Sequence, residues 1–457
     1  MGWLKKTSRN KINALLVFPR TQGSVTSNDA VFPFPFLALT QLAAAFPDHY
    51  NIRIIDECIS PVSGEEDADV VFISTLTSTA FRAYALGDTF MKRGIPVVMG
   101  GVHATLLPEE ASNHCTSVVS GEADVKIREI LEDFENGRLL PLYENNFMPD
   151  IDSIPHPLIS SLNWRHRLFI LPIQTSRGCP NNCDFCSVPA ISGRKLRLKS
   201  ISSIEKELEA LKVFRSRYLF VVDDNFTVIK DRALALMDLF QHHGFKWMGF
   251  STLSVSEDEE FLNALRASGC ISLFIGFESL HDQGDLIKNR LYKGPAAFKE
   301  AVERIHSYGI GIQGSFIFGF DYDTEEVFQE TVAFIQDSGI ELPSINIMTP
   351  FPGTNLFNHL DKEARLLHKD WSLYDMNHVV FQPSGMSSEE LQQGYAWALK
   401  YLASPTIILS RLKKRFGSKT YFMTANFSLH RHQTRLARSL WNRDTQRSMQ
   451  ERGLCLC

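Results

Sequence analysis

Short runs of aliphatic and β-branched residues alternate with amphipathic helical stretches along most of this chain of 457 residues. That alternation limits its fold more than any other feature. Ile12–Phe18, Asn51–Asp56, Val70–Ser74 and Pro96–Met99 read as buried strands, and Phe36–Phe46, Phe81–Arg93 and Glu122–Asn136 carry helical periodicity. Strands joined through helices pair in parallel, because each crossover returns the chain to the same end of the sheet. Residues 1–140 are therefore expected to form an α/β domain, a Rossmann-like (flavodoxin-like) doubly wound parallel sheet. Residues 141–167 are proline-rich without a sustained period and read as a linker. It crosses between domains and so is placed to line a site.

A second series occupies 168–350. Its strands are expected at Phe169–Thr175, Tyr218–Val222, Lys246–Phe250, Ile271–Ile275, Gly311–Phe318 and Ser344–Met348. Helices are expected at Ser203–Phe214, Asp231–His242, Glu257–Ala267, Pro295–Tyr308 and Thr324–Asp337. Six such units fit a partial six-stranded (β/α)6 barrel of TIM type. Residues 351–457 then read as a mostly helical extension with a basic tail.

Composition narrows the class further. With 44% hydrophobic and 22% charged residues the chain is globular rather than disordered. A net charge of −5 predicts no general affinity for nucleic acid. The basic start is followed by Ile12–Phe18, an apolar run too short for a signal peptide and stopped at Pro19. No run of about 18 apolar residues is present to span a membrane. Three of the eight cysteines share one motif, which argues against a disulfide framework and for a reducing compartment, the cytoplasm.

Parallel sheets of both kinds bind ligands beyond the carboxyl ends of their strands. In the first series those ends carry Asp56, Ser74-Thr75 and Gly100-Gly101-Val102-His103. In the second, the first strand runs into Cys179-Pro-Asn-Asn-Cys183-Asp-Phe-Cys186. Thiolates at C-x3-C-x2-C can cap three irons of a cubane cluster and leave one without a protein ligand. An open metal position binds substrate, as catalytic zinc shows. The alternatives are a structural zinc site, for which the loop offers no fourth Cys or His, and core thiols with no metal. The later strand ends present Asp223-Asp224-Asn225, Ser251, Gly276-Phe277-Glu278-Ser279 and Thr349-Pro-Phe-Pro-Gly-Thr354. Asp and Asn after a strand equally suit the N-cap of the next helix. Glu278, directly after a buried strand, needs a cationic or hydroxyl partner.

The cysteine spacing resembles that of the radical S-adenosylmethionine (SAM) family. This resemblance implies a [4Fe-4S] cluster on Cys179, Cys183 and Cys186, whose open iron is chelated by SAM, and reductive cleavage of SAM to a 5′-deoxyadenosyl radical. It also implies a one-electron donor such as flavodoxin or ferredoxin. By the same resemblance Asp223 and Asp224 accept the SAM amino group, Ser251 bonds its carboxylate, Glu278 holds SAM, and Phe185 seats the adenine. Arg177 either touches a cofactor or screens the thiolates. The order I-S-x-L-T, V-V-M-G-G-V-H-A-T-L-L-P-E-E-A, S-G-E-A-D ahead of the cysteines resembles the cobalamin-binding radical SAM proteins. Cobalamin contacts are then expected at Ser74, Thr75, Gly100, Gly101 and His103, although a histidine at a helix start is equally a packing residue. A D-x-H-x-x-G cobalt-ligating motif is replaced by Asp56-Glu-Cys58-Ile-Ser-Pro61, so cobalt would lack a histidine lower ligand.

The stretches F-G-F-D-Y-D-T-E-E-V-F, T-P-F-P-G-T-N-L-F and D-W-S-L-Y-D-M-N-H-V-V-F-Q-P resemble the C-terminal extension of hopanoid C-methylases and bacteriochlorophyll side-chain methylases. The implied activity is methyl transfer from cobalamin to an unactivated carbon of a small apolar substrate, a lipid or a tetrapyrrole. The alternative is oxidation, cyclisation or rearrangement on the same architecture. A methylthiotransferase would need three N-terminal cysteines, and only Cys58 and Cys115 are there. Asp370-Trp371 to His378 reads as either substrate-facing or packing. From residue 411 the chain carries eleven Arg or Lys against Asp444 and Glu451. Such a tail is either a solvated face or a peripheral contact with an anionic membrane. Cys455 and Cys457 are too isolated for a metal site.

Overall fold

The computed structural model describes residues 11–21, 37–145, 148–161, 170–281, 294–413 and 418–440. Six parallel strands form the first sheet: β1 (Ile12–Phe18), β2 (Tyr50–Asp56), β3 (Val70–Ser74), β4 (Val97–Gly100), β5 (Ser117–Ser120) and β6 (Leu142–Glu144). Their order is β2-β1-β3-β4-β5-β6. β1, β3 and β4 are almost wholly apolar because helices cover both faces. Leu15, Val17, Val71 and Ile73 pack on the helix Ala80–Lys92, while Leu16, Phe72 and Val98 pack on the helices Leu37–Ala43 and Ile127–Glu135.

Two strands are missed by periodicity. β5 is four residues with serine at both ends, and β6 is the three-residue Leu-Tyr-Glu within the stretch expected to be linker. The first unit therefore runs to Glu144. Two described residues of the linker, Asp152 and Leu158, tie it to both units. Leu158 N–H donates to the Thr40 carbonyl at 2.9 Å, and Ser200 N–H donates to Asp152 Oδ1, also at 2.9 Å.

The second sheet begins with β7 (Leu171–Ile173). After the small antiparallel pair β8 (Ser176–Arg177) and β9 (Arg197–Leu198), it continues through β10 (Tyr218–Val221), β11 (Lys246–Ser251), β12 (Cys270–Glu278), β13 (Gly311–Phe318) and β14 (Leu342–Ile347). The order β14-β13-β12-β11-β10-β7 makes every strand the parallel neighbour of the next and leaves β7 and β14 as edges, a barrel that does not close. Helices Ile201–Leu211, Lys230–His242, Glu259–Ala267, Gly294–Ser307 and Glu326–Ser338 are the crossovers. Their starts at Ser200 and Asp258 are capped by side chains that accept from Ser203 and Phe261 N–H.

The extension is helical at Asn355–Lys362, Ser388–Leu402, Pro405–Lys413 and Lys419–Leu440. Between the first two helices it returns to the N-terminal unit. Trp371, Tyr374 and Val380 join the core around Ala80, Ala83 and Phe90. Trp371 Nε1–H donates to both Glu110 oxygens, at 2.9 and 3.1 Å. Of the two readings of this segment, Trp371 takes the packing one.

Truncation of that anchor is the direct test. Trp371→Ala should remove about 3–5 kcal/mol from the unit formed by the first sheet and the extension. Trp371→Phe, which keeps the ring and loses the Nε1 donor, should cost about 1–2 kcal/mol. Denaturant unfolding of both variants reads the difference.

Candidate active site

The carboxyl ends of the two sheets face one another, and the space between them is a cavity of about 380 Å³. This is within the usual size of small-molecule sites. On one side it is lined by Ser74 after β3, Gly100 and Gly101 after β4, and Gly121 and Glu122 after β5. On the other side stand Gln174 and Arg177 after β7 and Val222 and Asp224 after β10. Leu37, Leu42, Phe72, Val98 and Ile127 make its deep wall apolar. The cavity lies beside the point where strand order reverses around β1, where open parallel sheets leave a crevice.

Gly101 has φ of 96°, and a Cβ there would sit 2.7 Å from both Thr75 N and Thr75 O. Only glycine makes this turn. Thr75 is spent on the turn itself: its hydroxyl donates to the Gly100 carbonyl at 2.6 Å and its side chain is buried. The structure therefore corrects Thr75 from a cofactor contact to a residue that shapes the floor. His103 is corrected in the same way. It is fully buried on the far side of its helix, with Nε2 3.0 Å from Tyr84 Oη and its ring edge-on to Trp371. Burial lowers its pKa, with Glu110 opposing. The loop Asp56–Pro61 contributes no lining residue among those described. Glu57 is held there by Arg82 Nε at 2.9 Å and by Val62 N–H at 3.1 Å.

The cysteine loop leaves the sheet through a narrow neck, with β8 and β9 paired across it. Gly178 N–H donates to Asp224 Oδ2 at 3.0 Å, and Cys186 N–H donates to the Cys183 carbonyl at 3.1 Å. From the far end of the sequence, Leu356 N–H donates to the Asp184 carbonyl and Asn355 Nδ2–H donates to Asp184 Oδ1, both at 3.0 Å. The turn Thr349–Thr354 thus delivers a helix whose first residues clasp the loop between Cys183 and Phe185. Phe185 lies edge-on to Phe320, with centroids 6.4 Å apart.

The charge of this region fits a cluster. Burial first, and then the neighbouring Cys186, Glu278, Cys179 and Asp184, push the Cys183 thiol up to about 12. Burial also raises Cys186, with Cys179, Asp224 and Glu278 adding to it. Three thiols and three carboxylates thus crowd one spot, and thiolates there require cationic partners. An iron–sulfur core and the ammonium and sulfonium of SAM are such partners. Among the described residues no three His, Cys, Asp or Glu side chains converge on a single ion. A cubane does not require convergence, because each thiolate caps a different iron.

Glu278 itself sits at φ 58°, where the β12–β13 register shifts by one residue. Its carboxylate folds back over Gly276, where an added Cβ would lie 2.1 Å from Oε1. Left-handed backbone in a non-glycine residue is a costly conformation that concentrates at functional sites. Ser251 Oγ lies 2.9 Å from Thr227 Oγ1 at the end of β11. Asp223 is different from its neighbour. It is fully buried and accepts from Thr175 N–H at 2.6 Å and from Ser176 Oγ–H at 2.8 Å. The expected SAM role of Asp223 is corrected: its oxygens brace the neck of the cysteine loop, and of the pair only Asp224 lines the cavity.

Sequence reasoning gave Glu122 no role. Arg197 Nη1–H donates to Glu122 Oε2 at 3.0 Å, and Arg177 Nη1–H donates to the same oxygen at 2.9 Å and to Asp124. One carboxylate from the first sheet thus holds the two strands at the cysteine neck. Burial raises the Glu122 pKa, but Arg197 and Arg177 outweigh it and hold the carboxyl below its ordinary value. The S-G-E-A-D motif was the available signal. A folded-state pKa below the unfolded one gives stabilisation that is complete above the unfolded value and is lost as pH falls through the folded one. Glu122→Gln should therefore cost about 3 kcal/mol at neutral pH and flatten the acid limb of the stability–pH curve, measured by denaturant unfolding at a series of pH values.

Comparison with known proteins agrees with this geometry. Residues 173–335 match the Radical SAM superfamily. The chain is 30% identical over 443 residues to bacteriochlorophyllide d C-12(1)-methyltransferase of Chlorobaculum tepidum, covering 93% of this chain and 94% of that one. It is 28% identical to hopanoid C-2 methylase of Rhodopseudomonas palustris over 78% of this chain and 71% of the relative. In fold it is similar to the radical SAM methyltransferase TsrM of Kitasatospora setae, solved with cobalamin and a [4Fe-4S] cluster, with a TM-score of 0.62 at 13% identity over 94% of this chain and 99% of that one. With the matching domain built around Cys179, Cys183 and Cys186, and a methyltransferase relative alike over nearly its full length, the chain belongs to the radical SAM superfamily of enzymes.

Proposed function

We propose that this protein is a cobalamin-dependent radical SAM C-methyltransferase acting on a small apolar substrate, a tetrapyrrole or a polycyclic lipid. The observation that carries the reading is the shared cavity, where the neck of the cysteine loop (Arg177, Asp224) faces the glycine-rich strand ends of the first sheet (Ser74, Gly100, Gly101). Cys179, Cys183 and Cys186 would hold the [4Fe-4S] cluster. Asp224, Ser251, Glu278 and Phe185 would surround SAM, and Ser74, Gly100, Gly101 and the apolar wall would receive cobalamin. Bound together, these groups supply a 5′-deoxyadenosyl radical and a transferable methyl.

The chain's own work is positional. Glu122, Arg177 and Arg197 fix the two sheets at one separation. Asp223 and the clasp on Asp184 fix the cysteine loop. The apolar wall would seat the apolar parts of a bound ligand. The Asp56–Pro61 loop carries no histidine and so would offer no imidazole to a bound cobalamin. The substrate class follows the relatives, whose names specify a bacteriochlorophyllide and a hopanoid. A reducing compartment, the cytoplasm, and a flavodoxin- or ferredoxin-type donor complete the reading.

Product analysis tests it. Anaerobically purified protein should contain about four irons per chain, together with cobalt, and should form S-adenosylhomocysteine together with 5′-deoxyadenosine. Cys183→Ala should abolish both products. Deoxyadenosine alone, with native substrate and no cobalt, would favour oxidation or rearrangement instead.

Gly276→Ala tests the SAM pocket separately. Its methyl must displace the Glu278 carboxylate, so SAM affinity should fall at least about tenfold, the worth of a charge-assisted hydrogen bond. Iron content should be unchanged. Equilibrium dialysis under anaerobic conditions reads the first and metal analysis the second.

A further inference from the structure

The last helix, Lys419–Leu440, has 22 residues and not one Asp or Glu, in a chain whose net charge is −5. One face is buried. Phe422, Asn426, Gln433 and Ala437 pack inward. The Phe422 ring lies against Gly311 at the start of β13, and Asn426 Nδ2–H donates to the Glu341 carbonyl just before β14 at 3.1 Å. The preceding helix is tied down by Arg411, which is 2% exposed and donates to the Leu402 carbonyl at 3.2 Å and to Asn426 Oδ1 at 3.3 Å. The helix therefore lies at the amino ends of β13 and β14 and against the helix Ser388–Leu402, on the floor of the barrel opposite the cysteine loop.

Its outer face is ordered by charge. Met423 and Phe427, one turn apart, are 62% and 57% exposed. Arg431, Arg435 and Arg438 follow, exposed on the same arc. Leu409 on the preceding helix is 60% exposed.

We propose that this face docks the enzyme on an anionic lipid bilayer, with Met423 and Phe427 entering the interface and the three arginines among the headgroups. Exposed large apolar side chains beside arginines, without an acid along the helix, match an interfacial helix. Self-association through the same face would bring two sets of arginines together, with no acid on either helix between them. A redox partner here would stand a full barrel depth, about 25 Å of strand, from the cysteine loop. Docked in this way, the floor meets the membrane and the cavity between the sheets faces away from it. An apolar substrate would have to leave the bilayer and reach the cavity around the barrel, or be handed over.

Sedimentation with vesicles of phosphatidylcholine, alone and mixed with phosphatidylglycerol, tests this on the full chain. Binding should require phosphatidylglycerol and fall with added salt. Each arginine is worth about fivefold, so the double variant Arg431→Glu/Arg435→Glu should bind more than about twentyfold more weakly. Phe427→Ser should also weaken binding, with circular dichroism and solution activity unchanged in both variants. Equal binding to both vesicle types, or equal binding by wild type and variants, overturns the proposal. So does a Phe427→Ser variant that loses only a dimer detected by light scattering. None of these readouts requires methyl transfer, so failure here is distinct from failure of the methyltransferase reading.

Discussion

The ion pairs around Glu122 decide whether this protein has a site at all. Each sheet on its own ends in a row of loops facing solvent. A half-buried carboxylate after β5, gripped by Arg177 and Arg197 on the paired strands of the neck, turns two such ends into two walls of one cavity. Burying three charges is unfavourable unless their geometry is fixed. That same cost makes the spacing specific, because any slip of one sheet against the other leaves a charge unpaired.

A different balance governs the cysteine loop. Cys179, Cys183 and Cys186 share their surroundings with Asp184, Asp224 and Glu278, and burial together with these neighbours raises the affinity of the thiols for protons. The protein tolerates this crowding because the scaffold is rigid from several directions. Asp223 braces the neck from below, and the extension clasps Asp184 from the side. The strained backbone at Glu278 fits the same pattern, a local cost carried by a long, well-buried strand.

The fold was largely legible because parallel strands buried on both faces leave unmistakable aliphatic runs, and the crossovers between them carry helical periodicity. β5 and β6 were not, since four and three residues are too few for a period. The spacing of the cysteine triplet was enough to point to the radical SAM family. The distinction between Asp223 and Asp224 was invisible, because adjacent strand-end residues point to opposite sides and only the register decides which one meets the cavity. The role of Thr75 was hidden for the same reason, and that of His103 because the inward face of its helix meets Tyr84 and Trp371, both distant in sequence. Glu122 and Trp371 depend on partners 75 and 261 residues away, a separation that no local pattern encodes.

The clasp on Asp184 has a consequence in time. Its donors, Leu356 and Asn355, are made about 170 residues after the loop they secure. At roughly 5–20 residues per second, the cysteines leave the ribosome some ten to thirty seconds before their loop can be completed. During that interval the thiols are present without the contact that sets their final arrangement. A chain interrupted before residue 355 would lack both donors, and its cysteine loop would have to hold its shape without the clasp on Asp184.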